Sequence, residues 1–213
     1  MGNLPPISCL FVDVGGVLLS NGWGSRSRKL AAKKFAIDFT EMEKRHQLNF
    51  EIYEIGKITL KEYLRRVVFF EKRSFTGAQF RNFMFAQSTP FPRMIDLIAR
   101  LKIKHNLKIA VVSNEGRELN SYRIHRFKLN KFVDFFISSC FVAVRKPDAD
   151  IFQLALDISQ VALDKIIYIE NTAMFIDVAQ DMGMRGILHT DYKSTRIKLA
   201  SLGLQTDEVT HAD

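Results

Sequence analysis

An aspartate follows the first apolar run of the chain, at a point where a carboxylate has chemical uses. The run from Ile7 to Val12 is typical of a buried strand, and Asp13 and the pair Gly15-Gly16 come directly after it. At the carboxyl edge of a parallel sheet, where ligands collect, a carboxylate can act as a nucleophile or as a metal ligand. The plain alternative is that Asp13 only caps a turn. Later strand ends decide between the two readings.

Polar residues also follow later apolar runs of the sequence. Ser113 and Asn114 end the second run, where a hydroxyl and an amide can bind an anion or can simply cap a helix. Lys146 precedes a predicted helix, and its ammonium can neutralise a phosphoryl group, although a single lysine there is more often a surface residue. Glu170 and Asn171 end a further run, as a metal-binding pair or as a cap. Each signal is weak alone, and their combination is informative.

Five short apolar runs predict the strands that must position these side chains. Helical patterns, such as the amphipathic stretches from Ile151 to Ile158 and from Phe175 to Met182, lie between them. This alternation implies βαβ units and a parallel sheet covered on both faces, so the predicted fold class is α/β, a three-layer α/β/α Rossmann-like core. The five predicted strands are Ile7 to Val12, Ile109 to Val112, Phe135 to Ser138, Ile166 to Ile169 and Gly186 to His189.

The segment from Ser20 to Ser88 differs from the rest, because it has helical periodicity and no convincing strand. Helix starts are predicted by three capping boxes, which are Thr40 with Glu43, Thr59 with Glu62, and Thr76 with Gln79. We therefore expect a helical cap domain, residues 20–88, inserted into a core domain of residues 1–19 and 89–213. The hinges are expected near Leu19 to Gly24 and Gln87 to Pro92.

Composition and charge exclude several classes of protein. With 47% hydrophobic and 25% charged residues, the 213-residue chain fits a globular protein and not a disordered one. Residues 20–88 contain 14 Lys and Arg against 7 Asp and Glu, which accounts for most of the net charge of +8. A solvated helical face is the simplest explanation of this basic excess. An electrostatic field that attracts a small anion is the second explanation, and a nucleic-acid surface is the least favoured one.

Targeting signals, cysteines and histidines exclude further classes. Asp13 and two glycines interrupt the apolar run from Ile7 to Leu19, which therefore predicts neither a signal peptide nor a membrane span, and a cytoplasmic protein is expected. Cys9 and Cys140 each lie in an apolar run, so buried thiols in a reducing compartment are expected. The five histidines include no close pair at ligand spacing, which argues against zinc. A Ser-His-Asp hydrolase is excluded because a glycine-rich nucleophile elbow is missing.

In their order and context, these strand-end residues resemble the motifs of the haloacid dehalogenase superfamily. Its members include phosphatases, phosphomutases, phosphonatases and dehalogenases. The resemblance covers most of the chain, and the helical insertion looks like the family's type 1 cap. The matching residues are Asp13 for the aspartate motif, Ser113 for the Ser/Thr motif, Lys146 in Lys146-Pro147-Asp148 for the lysine motif, and Glu170-Asn171 for the acidic motif.

The resemblance implies hydrolysis through a covalent aspartyl intermediate. Asp13 would attack a small phosphorylated substrate, and Ser113 and Lys146 would hold the phosphoryl oxygens in the transition state. A Mg²⁺ ion would bridge Asp13 and the substrate phosphate. The implied metal ligands are Asp13, the carbonyl of Gly15, Glu170 and Asn171, and the implied substrate-binding residues are Ser113, Asn114, Lys146, Gly16 and Asn21.

Two positions depart from the family pattern. Phosphatases of the family usually carry a second aspartate two residues after the nucleophile, and this sequence has Gly15 there. General acid/base catalysis contributes about 100- to 10,000-fold, so its loss would slow turnover or restrict the substrates to good leaving groups. Asn171 stands where a further carboxylate is common, which predicts weaker metal binding, with Asp177 as a remote compensating residue.

These departures leave two alternatives to a Mg²⁺-dependent phosphatase. A metal-independent dehalogenase needs no proton for its leaving halide, although Glu170 would repel both Asp13 and a carboxylate substrate. A phosphate-binding or protein-interaction module would keep the scaffold with little catalysis.

Overall fold

The protein has a parallel α/β fold, described for residues 6–206 of a computed structural model. Within that range the five strands are β1 Cys9–Val12, β2 Lys108–Ser113, β3 Phe135–Ser138, β4 Ile166–Glu170 and β5 Arg185–Leu188. The ten α-helices are α1 Ser25–Phe35, α2 Phe39–Glu54, α3 Leu60–Val67, α4 Gly77–Ala86, α5 Pro92–His105, α6 Arg117–Arg126, α7 Ser139–Val142, α8 Asp150–Ser159, α9 Ala173–Asp181 and α10 Tyr192–Ser201.

The strands form one sheet in the order β3-β2-β1-β4-β5, and every neighbouring pair is parallel. Successive side chains of a strand point to opposite faces, so both faces of this sheet carry apolar residues. Leu10 and Val12 pack with α5 and α10 on one face, and Cys9 and Phe11 pack with α8 and α9 on the other. The predicted three-layer fold class is therefore confirmed, and the five predicted strands are present with small shifts at their ends.

Helices α1 to α4 form a separate hydrophobic cluster, which we call the helical insertion. Trp23, Tyr63, Leu64 and Phe80 are buried in it, and Leu119 of α6 packs against them from the core. Its two connections to the core lie side by side, since the Ser20 N–H donates to the Thr89 carbonyl at 2.8 Å. In the described part of residues 20–88 the chain forms no strand, in agreement with the sequence pattern.

The predicted helix starts are correct for two helices of the insertion and wrong for one. Thr59 caps α3, and Thr76 forms a full capping box with Gln79 at the start of α4. The box predicted at Thr40 is absent, because α2 begins at Phe39 and Asp38 accepts from the Glu41 N–H at 2.9 Å. Asp38 and Glu41 have the same three-residue spacing as the predicted pair, and the earlier register forms.

Three smaller features of the described residues concern the cysteines, the length of the helices and clusters of possible metal ligands. Cys9 and Cys140 are buried free thiols, as predicted. Between residues 6 and 206, no helix is long and apolar enough to cross a bilayer. Within the same range, no three His, Cys, Asp or Glu side chains converge as a metal site.

Candidate active site

The predicted catalytic side chains meet at the carboxyl edge of the sheet. Strand β1 is central, with β2 on one side and β4 on the other, so residues that end these three strands share one edge. Asp13 follows β1, Ser113 ends β2, Glu170 ends β4, and Lys146 reaches the same point from the loop between α7 and α8. All four are buried, and the most exposed of them, Asp13, has 6% of its surface accessible. Residues far apart in sequence thus form one polar cluster.

Lys146 lies at the centre of this cluster. Its Nζ donates to Asp13 Oδ1 at 2.9 Å, to Glu170 Oε2 at 2.5 Å and to the Tyr168 hydroxyl at 3.0 Å. Asn114 fixes its backbone, because the Lys146 N–H donates to Asn114 Oδ1 at 2.9 Å and Asn114 Nδ2 donates to the Lys146 carbonyl at 2.9 Å. The ammonium is therefore held beside the candidate nucleophile by contacts on both its side chain and its backbone.

Burial and charge oppose each other at this cluster. Burial raises the pKa of Asp13 above its ordinary value, against the opposing effect of the Lys146 ammonium, and the nearby carboxylate of Glu170 raises it further. Burial alone would lower the pKa of Lys146, but the carboxylates of Asp13 and Glu170 outweigh burial and raise that pKa. The lysine is therefore a permanent cation, and the protein bears a cost for keeping Asp13 ionised.

Glu170 is oriented by the start of α9. Its Oε1 accepts from the backbone N–H groups of Asn171 and Thr172 at 2.8 and 2.9 Å. The Asn171 side-chain nitrogen, in the orientation that forms hydrogen bonds, donates to the Gly15 carbonyl at 3.0 Å and to Glu170 Oε1 at 2.9 Å. Gly16 makes this approach feasible, because its φ is +83° and a Cβ there would lie 2.3 Å from the nearest atom of the Asn171 side-chain amide.

A cavity of about 300 Å³ separates the polar cluster from the helical insertion. Asp13, Ser113, Asn114, Lys146, Glu170 and Asn171 line it from the core, and Asn21 lines it from the first connection. Gly16 instead lines a separate depression with Phe91 and Tyr192. The apolar walls of the 300 Å³ cavity are formed by Trp23, Phe50, Met84, Leu119 and Phe175, and its basic walls by Arg28, Arg123 and Arg145.

Direct contacts attach the insertion to the core beside the cavity, which is partly open to solvent. Ser139 Oγ donates to the Glu54 carbonyl at 2.7 Å, at the end of α2. Arg145 Nη1 pairs with Glu51 at 2.9 Å, and its Nη2 pairs with Glu54 at 3.0 Å. The ring of Tyr53 lies over Gly116, where a built Cβ would be 2.1 Å from the ring. Because the ring occupies the place of a side chain, only glycine fits at position 116.

Replacing Gly116 with alanine is expected to destabilise the protein by about 1 to 3 kcal/mol, because the new methyl group must push the buried Tyr53 ring away. Urea unfolding followed by circular dichroism measures the change. Gly77→Ala is the matched control: Gly77 begins α4, nothing lies within 4 Å of its built Cβ, and alanine favours helix there. Equal stability of the two variants would contradict the contact.

Three residues in or beside the cavity were not predicted from the sequence. Burial raises the pKa of Glu54 and of Glu115 to about 7 in each case, although an arginine opposes it at both positions. Tyr168, which bonds both Lys146 and Glu170, was also missed. Of these three residues, only Tyr168 could have been predicted from the sequence. It precedes Glu170 by two residues in β4, so both side chains lie on the same face of the sheet.

Residues of the first connection and of α2 also border the cavity. Phe50 and Tyr53 line the cavity, as do Trp23 and Gly24. Arg117 instead donates to the Cys140 carbonyl, and Asp177 is exposed on α9.

A parallel sheet with its polar cluster at the carboxyl edge belongs to the α/β proteins that bind ligands at that edge. The family model for "haloacid dehalogenase-like hydrolase" matches residues 25–188. The chain therefore belongs to the haloacid dehalogenase-like hydrolases. No curated protein matches it.

Solved structures of this family have the same fold. A HAD family enzyme of Bacteroides thetaiotaomicron in a magnesium complex is 19% identical, with a TM-score of 0.75 over 87% of this chain and 94% of that one. A predicted HAD-like hydrolase of Porphyromonas gingivalis is 17% identical, with a TM-score of 0.74 over 95% and 100%. The L-2-haloacid dehalogenase of Xanthobacter autotrophicus with chloropropionic acid covalently bound is 15% identical, with a TM-score of 0.61 over 97% and 91%.

Proposed function

We propose that this protein is a Mg²⁺-dependent phosphatase that hydrolyses a small phosphorylated metabolite through an aspartyl phosphate on Asp13. The observation that carries the proposal is the 2.9 Å contact between Lys146 Nζ and Asp13 Oδ1, in the cavity between the core and the insertion. A buried carboxylate beside a buried ammonium can receive an anionic substrate that the carboxylate alone would repel. The excess of basic residues in the insertion supports an anionic substrate.

The oxygen donors at the cluster fit magnesium, which prefers oxygen ligands. Asp13 and Glu170 offer carboxylates, and Gly15 offers a carbonyl. Asn171 provides the test of fit, because one end of its amide lies 3.0 Å from the Gly15 oxygen and 2.9 Å from Glu170 Oε1. If the amide turned, three oxygens would converge there, an arrangement that a cation stabilises. These four residues would hold the ion, which when bound neutralises charge between Asp13 and the substrate phosphate.

Each side chain of the cluster has a role in the proposed reaction. The Asp13 carboxylate attacks phosphorus, and the bond from phosphorus to the leaving oxygen breaks, which gives an aspartyl phosphate. Water then attacks the same phosphorus, the bond to Asp13 breaks, and phosphate leaves. Ser113 and Lys146 hold the phosphoryl oxygens through both steps. Asn114 and Tyr168 position Lys146, and Asn114 also lines the cavity, where it would contact the substrate.

The size and walls of the cavity restrict the proposed substrate. Binding pockets range from about 300 to 1,000 Å³, so a cavity of about 300 Å³ suits a metabolite of few atoms. Trp23, Phe50 and Phe175 bring rings to its wall, which favours a leaving group with an apolar part. The insertion would act as a cap that excludes water during phosphoryl transfer.

A dehalogenase is the second candidate function. The Lys146 ammonium lies between Asp13 and Glu170, so their charges are partly neutralised without a metal. Gly15 supplies no proton, and a leaving halide requires none. The L-2-haloacid dehalogenase of Xanthobacter autotrophicus, which has a similar fold, is described with chloropropionic acid covalently bound. Two carboxylates around one ammonium still disfavour a 2-haloacid, which brings a third.

A substrate panel tests the proposal directly. We expect release of inorganic phosphate from small phosphate esters with Mg²⁺ present, and loss of that release when EDTA replaces Mg²⁺. The same protein is incubated with 2-chloropropionate without metal, and chloride is measured. Chloride release without phosphate release would establish the dehalogenase instead. Absence of both products, together with tight phosphate binding by calorimetry, would favour a non-catalytic module.

A further inference from the structure

The proposed reaction needs a proton that Gly15 cannot supply. An alkoxide leaving group must gain a proton as its bond to phosphorus breaks, and the attacking water must then lose one. A Cβ built at Gly15 would lie 3.3 Å from Asn21 Oδ1 and 3.9 Å from Asp13 Oδ2. The family's usual acid would project into this space. Another acid of the cavity must do its work if alkyl phosphates are substrates.

Glu115 is an acid of the same cavity, and no sequence motif assigned it a role. It follows Ser113 and Asn114 at the end of β2, and only 4% of its surface is accessible. Its backbone N–H donates to Ser139 Oγ at 2.9 Å. The same hydroxyl donates to the carbonyl of Glu54, so the loop that carries Glu115 is attached to the insertion.

Arg123 fixes the position of the Glu115 side chain. Its guanidinium donates to Glu115 Oε1 and also to the carbonyl of Ser20, and the arginine is 2% exposed. Ser20 is next to Asn21, whose amide oxygen faces Gly15. Glu115 is thereby tied to the same short segment that borders the space beside Gly15.

The charges around Glu115 permit both protonation states near neutral pH. Burial raises its pKa to about 7, Arg123 opposes that effect, Asp13 raises the pKa and Lys146 lowers it. Glu54 also faces this group from the insertion, paired with Arg145. A carboxyl with a pKa near 7 can donate one proton and accept another in a single turnover.

We propose that Glu115 is the general acid and base that replaces the aspartate missing at position 15. This assignment rests on the proposed phosphatase function. In the first step the Glu115 carboxylic acid gives its proton to the leaving oxygen as the bond between that oxygen and phosphorus breaks. In the second step the Glu115 carboxylate takes a proton from the attacking water as the bond between phosphorus and Asp13 breaks. Glu115 is again protonated, and the net reaction is ester plus water to alcohol plus phosphate.

Glu54 is the rival acid, and its contacts favour it less. Both Nε and Nη2 of Arg145 point at its Oε2, at 3.1 and 3.0 Å. Asp13 contributes to the raised pKa of Glu115, whereas the charges that act on Glu54 are those of Arg145, Glu115 and Lys146. The charge of Asp13, the candidate nucleophile, therefore affects the pKa of Glu115 more strongly than that of Glu54.

The experiment compares leaving groups in Glu115→Gln, using the full-length protein with Mg²⁺. For an alkyl phosphate, kcat/KM is expected to fall by about 100- to 10,000-fold, the usual range for a lost general acid. For 4-nitrophenyl phosphate, whose phenolate leaves without a proton, the fall is expected to be about 10-fold or less. In the wild-type protein, kcat/KM for the alkyl ester is expected to fall as pH rises through about 7, because the Glu115 acid loses its proton there. This decrease is expected to be absent in the variant.

A second variant separates proton transfer from structure, because Glu115→Gln leaves Arg123 without its carboxylate partner. Adding Gly15→Asp to Glu115→Gln returns an acid to the site but no partner to Arg123. The alkyl-phosphate rate is expected to recover by at least about 10-fold in this double variant. The φ of Gly15 lies outside the left-handed region, and the nearest atom to a Cβ there is Asn21 Oδ1 at 3.3 Å, so the Asn21 side chain must move by a few tenths of an ångström to admit aspartate.

Three outcomes overturn the assignment. Equal losses for both esters in Glu115→Gln, with no recovery in the double variant, would give Glu115 a structural role. A loss selective for the alkyl ester in Glu54→Gln, with Glu115→Gln unaffected, would transfer the role to Glu54. Wild-type protein that releases no phosphate from either ester would overturn the phosphatase and the role of Glu115 together, whereas the first two outcomes leave the phosphatase standing.

Discussion

Asp13→Asn is expected to abolish phosphate release and to leave the protein at least as stable as the wild type near neutral pH. An amide cannot attack phosphorus, so the fall in kcat should be on the order of 10⁴-fold or more, as for other enzymes that lose a nucleophile. The substitution keeps the shape of the side chain and removes one buried charge. Activity and stability should therefore change in opposite directions or only activity should change.

The expected stability follows from the direction of the Asp13 pKa shift. Burial raises this pKa in the folded protein above its value in the unfolded chain. A carboxyl of this kind contributes stability below its unfolded pKa, and the contribution is lost as pH rises through the folded pKa. Near pH 7 the ionised Asp13 thus lowers the free energy of unfolding, and asparagine, which has no charge, does not. Lys146 still keeps its 2.5 Å contact with Glu170 in the variant.

Steady-state kinetics and urea unfolding measure the two effects. Asp177→Asn is the control, since it makes the same chemical change at an exposed position of α9. That variant should keep wild-type activity, which would also remove Asp177 as a compensating metal ligand. Intact mass spectrometry must exclude deamidation of the new asparagine. Turnover that survives in a verified Asp13→Asn protein would remove Asp13 as the nucleophile.

The sequence was sufficient for the sheet and for the polar residues at its edge. Each buried strand is an apolar run of four to six residues, and parallel strands bring their carboxyl ends together without further information. Asp13, Ser113 and Glu170 directly follow or end such runs, so the strand prediction also brought them to one edge. Lys146 lies further along a loop, and it was predicted from its resemblance to a family motif.

The sequence pattern does not predict the contacts between the insertion and the core. Glu54 and Arg145 are 91 positions apart, and Arg123 and Ser20 are 103 apart. No periodicity links such residues, because their meeting depends on how two hydrophobic clusters are placed against each other. The raised pKa values of Glu54 and Glu115 result from that placement, since burial is their main cause. Acids that titrate near neutral pH could therefore be found only from the three-dimensional structure.

The central electrostatic feature of the site is a single ammonium between two buried carboxylates. Lys146 contacts both Asp13 and Glu170. All three residues are buried, with exposed fractions of 1% for Lys146, 6% for Asp13 and 1% for Glu170. Isolated buried carboxylates would each take up a proton to avoid the cost of burial. The lysine therefore has two functions, which are to keep Asp13 available as an anion and to prevent repulsion between neighbouring strand ends.

Lys146→Met should consequently reduce both activity and stability. The methionine side chain is similar in length and carries no charge. Removal of one partner from a buried ion pair costs about 3 to 5 kcal/mol, because the other partner remains buried and unpaired. Loss of a charged donor at the transition state typically costs about 10²- to 10³-fold in kcat, and that range is expected here.

The stability loss should depend on pH in a direction that can be worked out. Without the ammonium, burial and the charge of Glu170 raise the pKa of Asp13 further above that of the unfolded chain. Stability from such groups is present at low pH and is lost as pH rises. The difference in unfolding free energy between wild type and Lys146→Met should therefore be larger near about pH 8 than near about pH 5.

Urea unfolding at the two pH values, with kinetics on the best phosphate ester, tests both effects. Lys165→Met is the matched control, because Lys165 is exposed and directly precedes β4. Its stability should match that of the wild type at both pH values. A pH-independent loss in Lys146→Met would point to packing of the methylene chain as the cause. Full stability in that variant would contradict the role of the ammonium, because Asp13 and Glu170 would then tolerate each other without it.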